Sequence, residues 1–152
     1  MNKDAKPILV SACLLGLPTR YDGKAKHSQK VFDYLQREDL IPVPVCPEQL
    51  AGMTTPRAKT CFHSGDGHDV LAGKGQVISD SGQDMNEIFC RGAKLSLQVA
   101  RLSKCQKALL KERSPSCGVH QVYLGQDLIT GVGVTTALLL QKGFEVLSEE
   151  DL

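Results

Sequence analysis

Three apolar runs in this chain each lead into a cysteine, and this pattern constrains the fold more than any other. Ile8-Leu9-Val10-Ser11-Ala12 runs into Cys13, and Leu40-Ile41-Pro42-Val43-Pro44-Val45 runs into Cys46. Ala108-Leu109-Leu110 is followed shortly by Ser114-Pro115-Ser116-Cys117-Gly118. Each run has the length and composition of a buried strand, so each cysteine falls at or just past a strand's carboxyl end. In open parallel sheets, ligands bind at that edge. Three thiols delivered there suggest a metal or cluster site with three protein ligands and one coordination position left for something else.

The segments between the runs alternate with them in character. A first strand is expected over 7–14, followed by a polar loop punctuated by Gly16, Pro18 and Gly23. Ser28 is a candidate N-cap for a helix over 29–38, with Val31, Tyr34 and Leu35 at helical spacing. The second strand covers 40–45. Pro42 and Pro44 each remove a ladder donor, which points to an edge position or irregular pairing. Residues 53–82 read as a glycine-rich excursion, with strand-like pieces near 59–63 and 76–79 that suggest a hairpin. A long helix is expected over 84–103, with Ile88, Leu95, Val99 and Leu102 marking one face. A third main strand covers 106–111 and a short one 122–124. A helix over 135–141 is stopped by Gly143, and a last strand covers 144–147. Strands alternating with helices imply an α/β chain: a single compact Rossmann-like three-layer domain over 1–152, with a largely parallel sheet.

A chain of 152 residues suffices for one such domain. Its formal charge of +1 provides no excess that would favour a nucleic-acid polymer or a membrane surface. The chain has no tryptophan and few aromatics, which argues against stacking platforms for single strands. No apolar run reaches membrane-spanning length, and the start Met1-Asn2-Lys3-Asp4-Ala5-Lys6 lacks the apolar stretch of a signal peptide. A soluble cytoplasmic protein is the expectation. In that compartment patterned cysteines bind metals or catalyse more often than they form disulfides. Cys61, Cys90 and Cys105 lack the strand-end setting and read as core or incidental residues.

The three strand-end cysteines admit several chemistries. Three thiolates can hold a four-iron cluster and leave one iron open as a Lewis acid for soft ligands. They can also hold a catalytic zinc, although no histidine lies near the three motifs. A thiol nucleophile would need a base from His27, His63, His68 or His120, none of which has diagnostic spacing. Inert buried cysteines are the plain alternative. Glu48, two residues after Cys46, is placed to pass protons beside an open iron; otherwise it is an ordinary helix-start glutamate. Ser114 and Ser116 offer hydroxyls on the Cys117 turn. Gly131-Val132-Gly133-Val134-Thr135-Thr136 precedes a helix, a start that can present N–H groups to an anion, but it lacks the dinucleotide fingerprint. Arg20, Lys24, Arg57, Lys111 and Arg113 fall in loops or strand ends near these motifs, as phosphate contacts or as solvated surface.

Together, Val10-Ser11-Ala12-Cys13-Leu14-Leu15-Gly16, Arg20-Tyr21-Asp22-Gly23-Lys24, Val45-Cys46-Pro47-Glu48-Gln49-Leu50, Thr55-Pro56-Arg57, Lys111-Glu112-Arg113-Ser114-Pro115-Ser116-Cys117-Gly118 and Gly133-Val134-Thr135 resemble the DUF523 family, which includes the thiouracil desulfidases. The resemblance runs from about residue 7 to the C-terminus. It implies a [4Fe-4S] cluster on Cys13, Cys46 and Cys117, with Glu48 as catalytic acid/base and Ser114 assisting. Arg20, Lys24, Arg57, Ser116, Gly133 and Thr135 are then expected to bind substrate. The implied reaction is removal of sulfur from a thiolated pyrimidine, thiouracil or 4-thiouridine monophosphate, to give the oxo-pyrimidine and hydrogen sulfide with no net redox change. Two departures, Leu17-Pro18-Thr19 before Arg20 and Ala51 in place of a common glycine, leave these residues untouched. Outside the resemblance, the competing expectations are a nucleotide- or metal-binding module without catalysis, and a zinc-dependent hydrolase on the same cysteines.

Overall fold

The apolar runs that lead into cysteine all become strands of one sheet. The computed structural model describes residues 4–152; Met1, Asn2 and Lys3, from the polar start of the chain, lie outside the described residues. In chain order the elements are β1 (Lys6–Ser11), α1 (Gln29–Arg37), β2 (Leu40–Val45), α2 (Pro47–Leu50), β3 (Thr60–Ser64), α3 (Gly67–Leu71), β4 (Gln76–Ser79), α4 (Asn86–Leu102), β5 (Lys107–Leu110), β6 (Gln121–Leu124), β7 (Asp127–Thr130), α5 (Val134–Gln141) and β8 (Glu145–Ser148). The first sheet has the order β2-β1-β5-β8, and each neighbouring pair is parallel. The proline-bearing strand β2 lies at its edge, where each missing N–H interrupts no second ladder. Its register with β1 is nonetheless continuous, with Ile8 opposite Pro42 and Val10 opposite Pro44.

Side-chain alternation along these strands builds three layers. Ile8, Val10 and Leu109 pack with Val31, Tyr34 and Leu35 of α1 on one face. Leu9, Ala108 and Leu110 point the other way, into a core shared with Phe89, Ala93 and Leu97 of α4 and Leu138 and Leu139 of α5. The fold is therefore a mixed α/β domain with a four-strand parallel sheet flanked by helices.

Three local expectations are corrected. Strand β1 stops at Ser11, because Ala12–Leu15 tightens into a 3-10 turn closed by Gly16 at φ +91°. Cys13 therefore stands on a turn rather than in the strand. In α4 the buried face is Phe89, Gly92, Ala93, Ser96, Leu97 and Ala100, not the one marked by Ile88, Leu95, Val99 and Leu102. Small side chains let this helix approach its neighbours closely, whereas Leu102 is 76% exposed. Third, the 53–82 excursion contains the expected antiparallel pair β3–β4, but a helix, α3, lies between the strands, capped reciprocally by Asp66 and Asp69.

A second sheet of order β4-β3-β6-β7 completes the domain. Its outer pairs are antiparallel, and its middle pair is parallel through Phe62 opposite Leu124. Phe62, Val77 and Val122 carry it into the same core. Strand β7, which has no counterpart in the sequence reading, pairs with β6 across Gly125-Gln126. No helix among the described residues is long and apolar enough to cross a membrane.

Candidate active site

Three turns at the carboxyl edge of the parallel sheet each present one thiol to a shared cavity of about 370 Å³. Cys13 comes from the 3-10 turn after β1, Cys46 from the N-cap of α2 after β2, and Cys117 from the Ser-Pro-Ser-Cys turn after β5. All six cysteines of the chain are free. Cys61, Cys90 and Cys105 stand away from the cavity wall.

The Cys117 turn is held through its backbone groups, which side chains and the start of α5 both engage. Ser114 Oγ accepts the N–H groups of Ser116 at 3.2 Å and Cys117 at 3.1 Å, and the Gly118 N–H donates to Ser114 O at 2.8 Å. Behind it, α5 supplies its own free N–H groups: Val134 donates to Pro115 O, and Thr135 and Thr136 donate to Ser116 O. Thr136 Oγ1 also donates to Cys117 O at 2.9 Å. Gly133 makes this approach possible, since a Cβ there would come within 2.3 Å of the Ser116 carbonyl carbon. The helix start that sequence pattern offers to an anion is thus occupied by the cysteine turn. Gly133 and Thr135 lie behind that turn and Ser116 is buried within it, so none of the three is on the cavity wall.

Glu112 fastens the same region from the other side. It is 1% exposed, and its Oε1 accepts N–H groups from Val119 at 2.8 Å, His120 at 2.8 Å and Gln121 at 3.0 Å. Burial alone would raise this carboxyl, but the donors from Gln121, His120 and Val119 hold it below the usual range.

The Cys46 turn is built differently. Gly92 of α4 lets the helix close on it, since a Cβ there would sit 2.5 Å from Pro47 O. Its polar surroundings are side chains. Cys46 Sγ lies 3.4 Å from Glu48 Oε2, 3.7 Å from Thr19 O and 3.9 Å from Arg57 Nη2. The Glu48 side chain is 12% exposed, and Arg57 Nη2 is 3.9 Å from its Oε2.

Burial raises all three thiols. Cys13 is pushed up, Cys46 reaches about 11 through burial and then the Glu48 charge, and Cys117 stands well above the ordinary value. Among the described residues, no histidine lines the cavity to serve as a base for a thiol nucleophile. His27 stacks on Phe32, and His120 pairs with Asp151. Among the described residues, no three Cys, His, Asp or Glu side chains are gathered to hold a single ion. Zinc draws its thiolates to about 2.3 Å from one centre. A cubane instead takes each thiolate on a different iron, and three free thiols lining one cavity fit that donor set.

Among the cations, Arg20 and Arg57 line the cavity, whereas Lys24 is exposed in the Asp22-Gly23 turn and does not. Lys111 and Arg113 also line it but are engaged, Lys111 with Glu149 at 3.1 Å and Arg113 with Glu150. Lys26, Lys59 and Tyr123 are wall residues that no sequence signal marked, and Tyr21, quoted only within the Arg20–Lys24 motif, joins them. Arg20 and Lys59 flank the Tyr21 ring, each 5.9 Å from its centroid. Arg20, Lys26 and Lys59 form no ion pair with another described residue, although all three border the cavity.

The family model of 2-thiouracil desulfurase matches residues 8–151. The chain belongs to this family, DUF523. A relative in Bacillus subtilis (strain 168), the uncharacterized protein YbbK, is 40% identical over 148 residues, covering 95% of this chain and 97% of its own. A solved structure of the [4Fe-4S]-dependent thiouracil desulfidase TudS superposes with a TM-score of 0.82 at 39% identity. That match covers 97% of this chain and 93% of the TudS chain.

Proposed function

We propose that this DUF523 protein is a [4Fe-4S]-dependent desulfidase that converts a thiolated pyrimidine to its oxo form and hydrogen sulfide. The observation that carries the reading is the meeting of three free thiols and the Glu48 carboxylate on one cavity at the carboxyl edge of a parallel sheet. Cys13, Cys46 and Cys117 would hold the cluster. When bound, it supplies a soft Lewis-acidic iron to which a thiocarbonyl sulfur has affinity.

The remaining steps belong to the chain's own side chains. Glu48 takes a proton from the water that attacks the ring carbon and returns it as the C–S bond breaks. Ser114 Oγ accepts two N–H groups of its own turn, so its O–H proton is left to donate into the cavity, toward charge developing on the substrate. Water supplies the oxygen and both protons balance in hydrogen sulfide, so no electron donor is needed. Arg20, Lys26 and Lys59, with no carboxylate partner among the described residues, supply the charge that a substrate phosphate would need, which favours the nucleotide, 4-thiouridine monophosphate, over the bare base. Lys26 and Lys59 take the place that the sequence pattern assigns to Lys24.

The test is sulfide release by the anaerobically prepared protein from 4-thiouracil and from 4-thiouridine monophosphate. The reading predicts turnover of both, with the lower KM for the nucleotide. A cluster-loaded protein that releases no sulfide from either would overturn it.

A further inference from the structure

The sequence pattern places Arg57 among the substrate-binding groups, yet its contacts are with the protein. The side chain is 8% exposed. Nη1 donates to Thr55 Oγ1 and Nη2 to Thr19 O, both at 2.9 Å. The Arg57 N–H donates to Tyr21 O at 2.8 Å. Nη2 also lies 3.9 Å from both Cys46 Sγ and Glu48 Oε2. One guanidinium thus ties the loop before Tyr21 to the Cys46 turn.

Cys46 Sγ and Glu48 Oε2 are 3.4 Å apart. A thiol can donate its proton across that gap. A metal-bound cysteine is a thiolate and has no proton to give. Loading the site therefore brings a thiolate to hydrogen-bond distance of the Glu48 carboxylate, whose side chain is 12% exposed. Arg57 is the one cation within ion-pair distance of Glu48 among the described residues.

We infer that Arg57 is a positioning residue of the loaded site: its guanidinium sits against both the Cys46 thiolate and the Glu48 carboxylate, offsets their repulsion, and keeps both aimed into the cavity. This inference rests on the desulfidase reading. It also predicts a property that turnover does not report. Hydrogen bonds and charge near cluster sulfurs set the reduction potential, so the potential senses Arg57 even though the proposed reaction is non-redox.

The test compares the full-length wild type with Arg57→Gln, Arg57→Lys and the double variant Arg57→Gln/Glu48→Gln after anaerobic reconstitution. Iron and acid-labile sulfide content, the cluster midpoint potential and sulfide release are measured for each. Arg57→Gln should lose about 10- to 100-fold in cluster affinity or turnover, as groups supporting metal ligands commonly do. Its remaining cluster should have a more negative midpoint. Arg57→Lys should restore the potential in part but not the turnover, because an ammonium cannot reproduce the planar fork. The double variant should hold more cluster than Arg57→Gln, since the repulsion is removed with the carboxylate. Wild-type cluster content and potential in Arg57→Gln would overturn the inference, as would a double variant that holds no more cluster than the single one. If Arg57→Gln fails to fold, an Arg57→Lys protein matching wild type in all three measurements overturns it instead. A wild type that takes up no cluster overturns the desulfidase reading itself, a different outcome from any of these.

Discussion

The Cys117 turn and the Cys46 turn occupy the same sheet edge but are held by different forces. Around Cys117 the partners are backbone groups: Ser114 and Glu112 collect N–H groups, and α5 donates to the turn's carbonyls. Around Cys46 they are chiefly charged side chains, Glu48 and Arg57, with the Thr19 carbonyl beside them. A turn fixed by backbone hydrogen bonds delivers its ligand, and the Ser114 hydroxyl beside it, to a set place. A turn surrounded by titratable side chains can take part in proton transfer. On the proposed reading, anchoring falls mainly to the Cys117 side, with the Ser114 hydroxyl in support, and proton transfer falls to Glu48 on the Cys46 side.

The largest expected effect tests the part the two turns share. Cys117→Ser and Cys46→Ser should each abolish cluster uptake and turnover, measured as iron per chain and sulfide release, whereas Cys90→Ser on α4 should change neither. Next, Glu48→Gln should retain its cluster and lose about 10²- to 10⁴-fold in kcat, the usual worth of a positioned acid/base. An equal loss of cluster in Glu48→Gln and Cys46→Ser would erase the distinction between anchor and chemistry.

Variants of the backbone-held side should act on stability first. Gly133→Ala drives a Cβ into the Ser116 carbonyl and should cost about 1–3 kcal/mol in urea denaturation, comparable to overpacking elsewhere. Glu112→Gln weakens charge-assisted hydrogen bonds to three backbone donors and should cost about 1.5–3 kcal/mol at neutral pH. Its carboxyl lies below its unfolded value, so this stability is present above the unfolded pKa near ~4.3 and is lost as pH falls through the folded value. The difference between wild type and Glu112→Gln should accordingly shrink in acid. The smallest effect belongs to His120, raised by its hydrogen bond to Asp151. Its contribution is complete below the unfolded pKa near ~6.5 and is lost as pH rises through the folded value. The pair is exposed and screened, so His120→Asn should cost about 0.3 kcal/mol at pH 6 and less in high salt.

The parts of this molecule that were legible in sequence are those whose signal is local. Cys13, Cys46 and Cys117 each follow an apolar run directly or after a short turn, and Pro42 and Pro44 announce an edge strand. Helix α4 was visible, but its buried face was not, because large aliphatics mark a face more loudly than Gly92, Ala93 and Ala100 do. Three strands of the second sheet were visible, but β7 and their joining into one sheet were not: the strands are four or five residues long, and a single residue pair joins the two halves. Lys26 and Lys59 reach the cavity from segments far apart in the chain. Glu112 looks like one charge in Lys-Glu-Arg, and only folding shows three N–H groups waiting for it.

The most direct test of the account is anaerobic purification of the wild type, with iron and acid-labile sulfide analysis read beside the visible spectrum. The account predicts a brown protein with about four irons and four sulfides per chain, lost on replacing any of Cys13, Cys46 or Cys117. A colourless protein that cannot be reconstituted with iron and sulfide would contradict it.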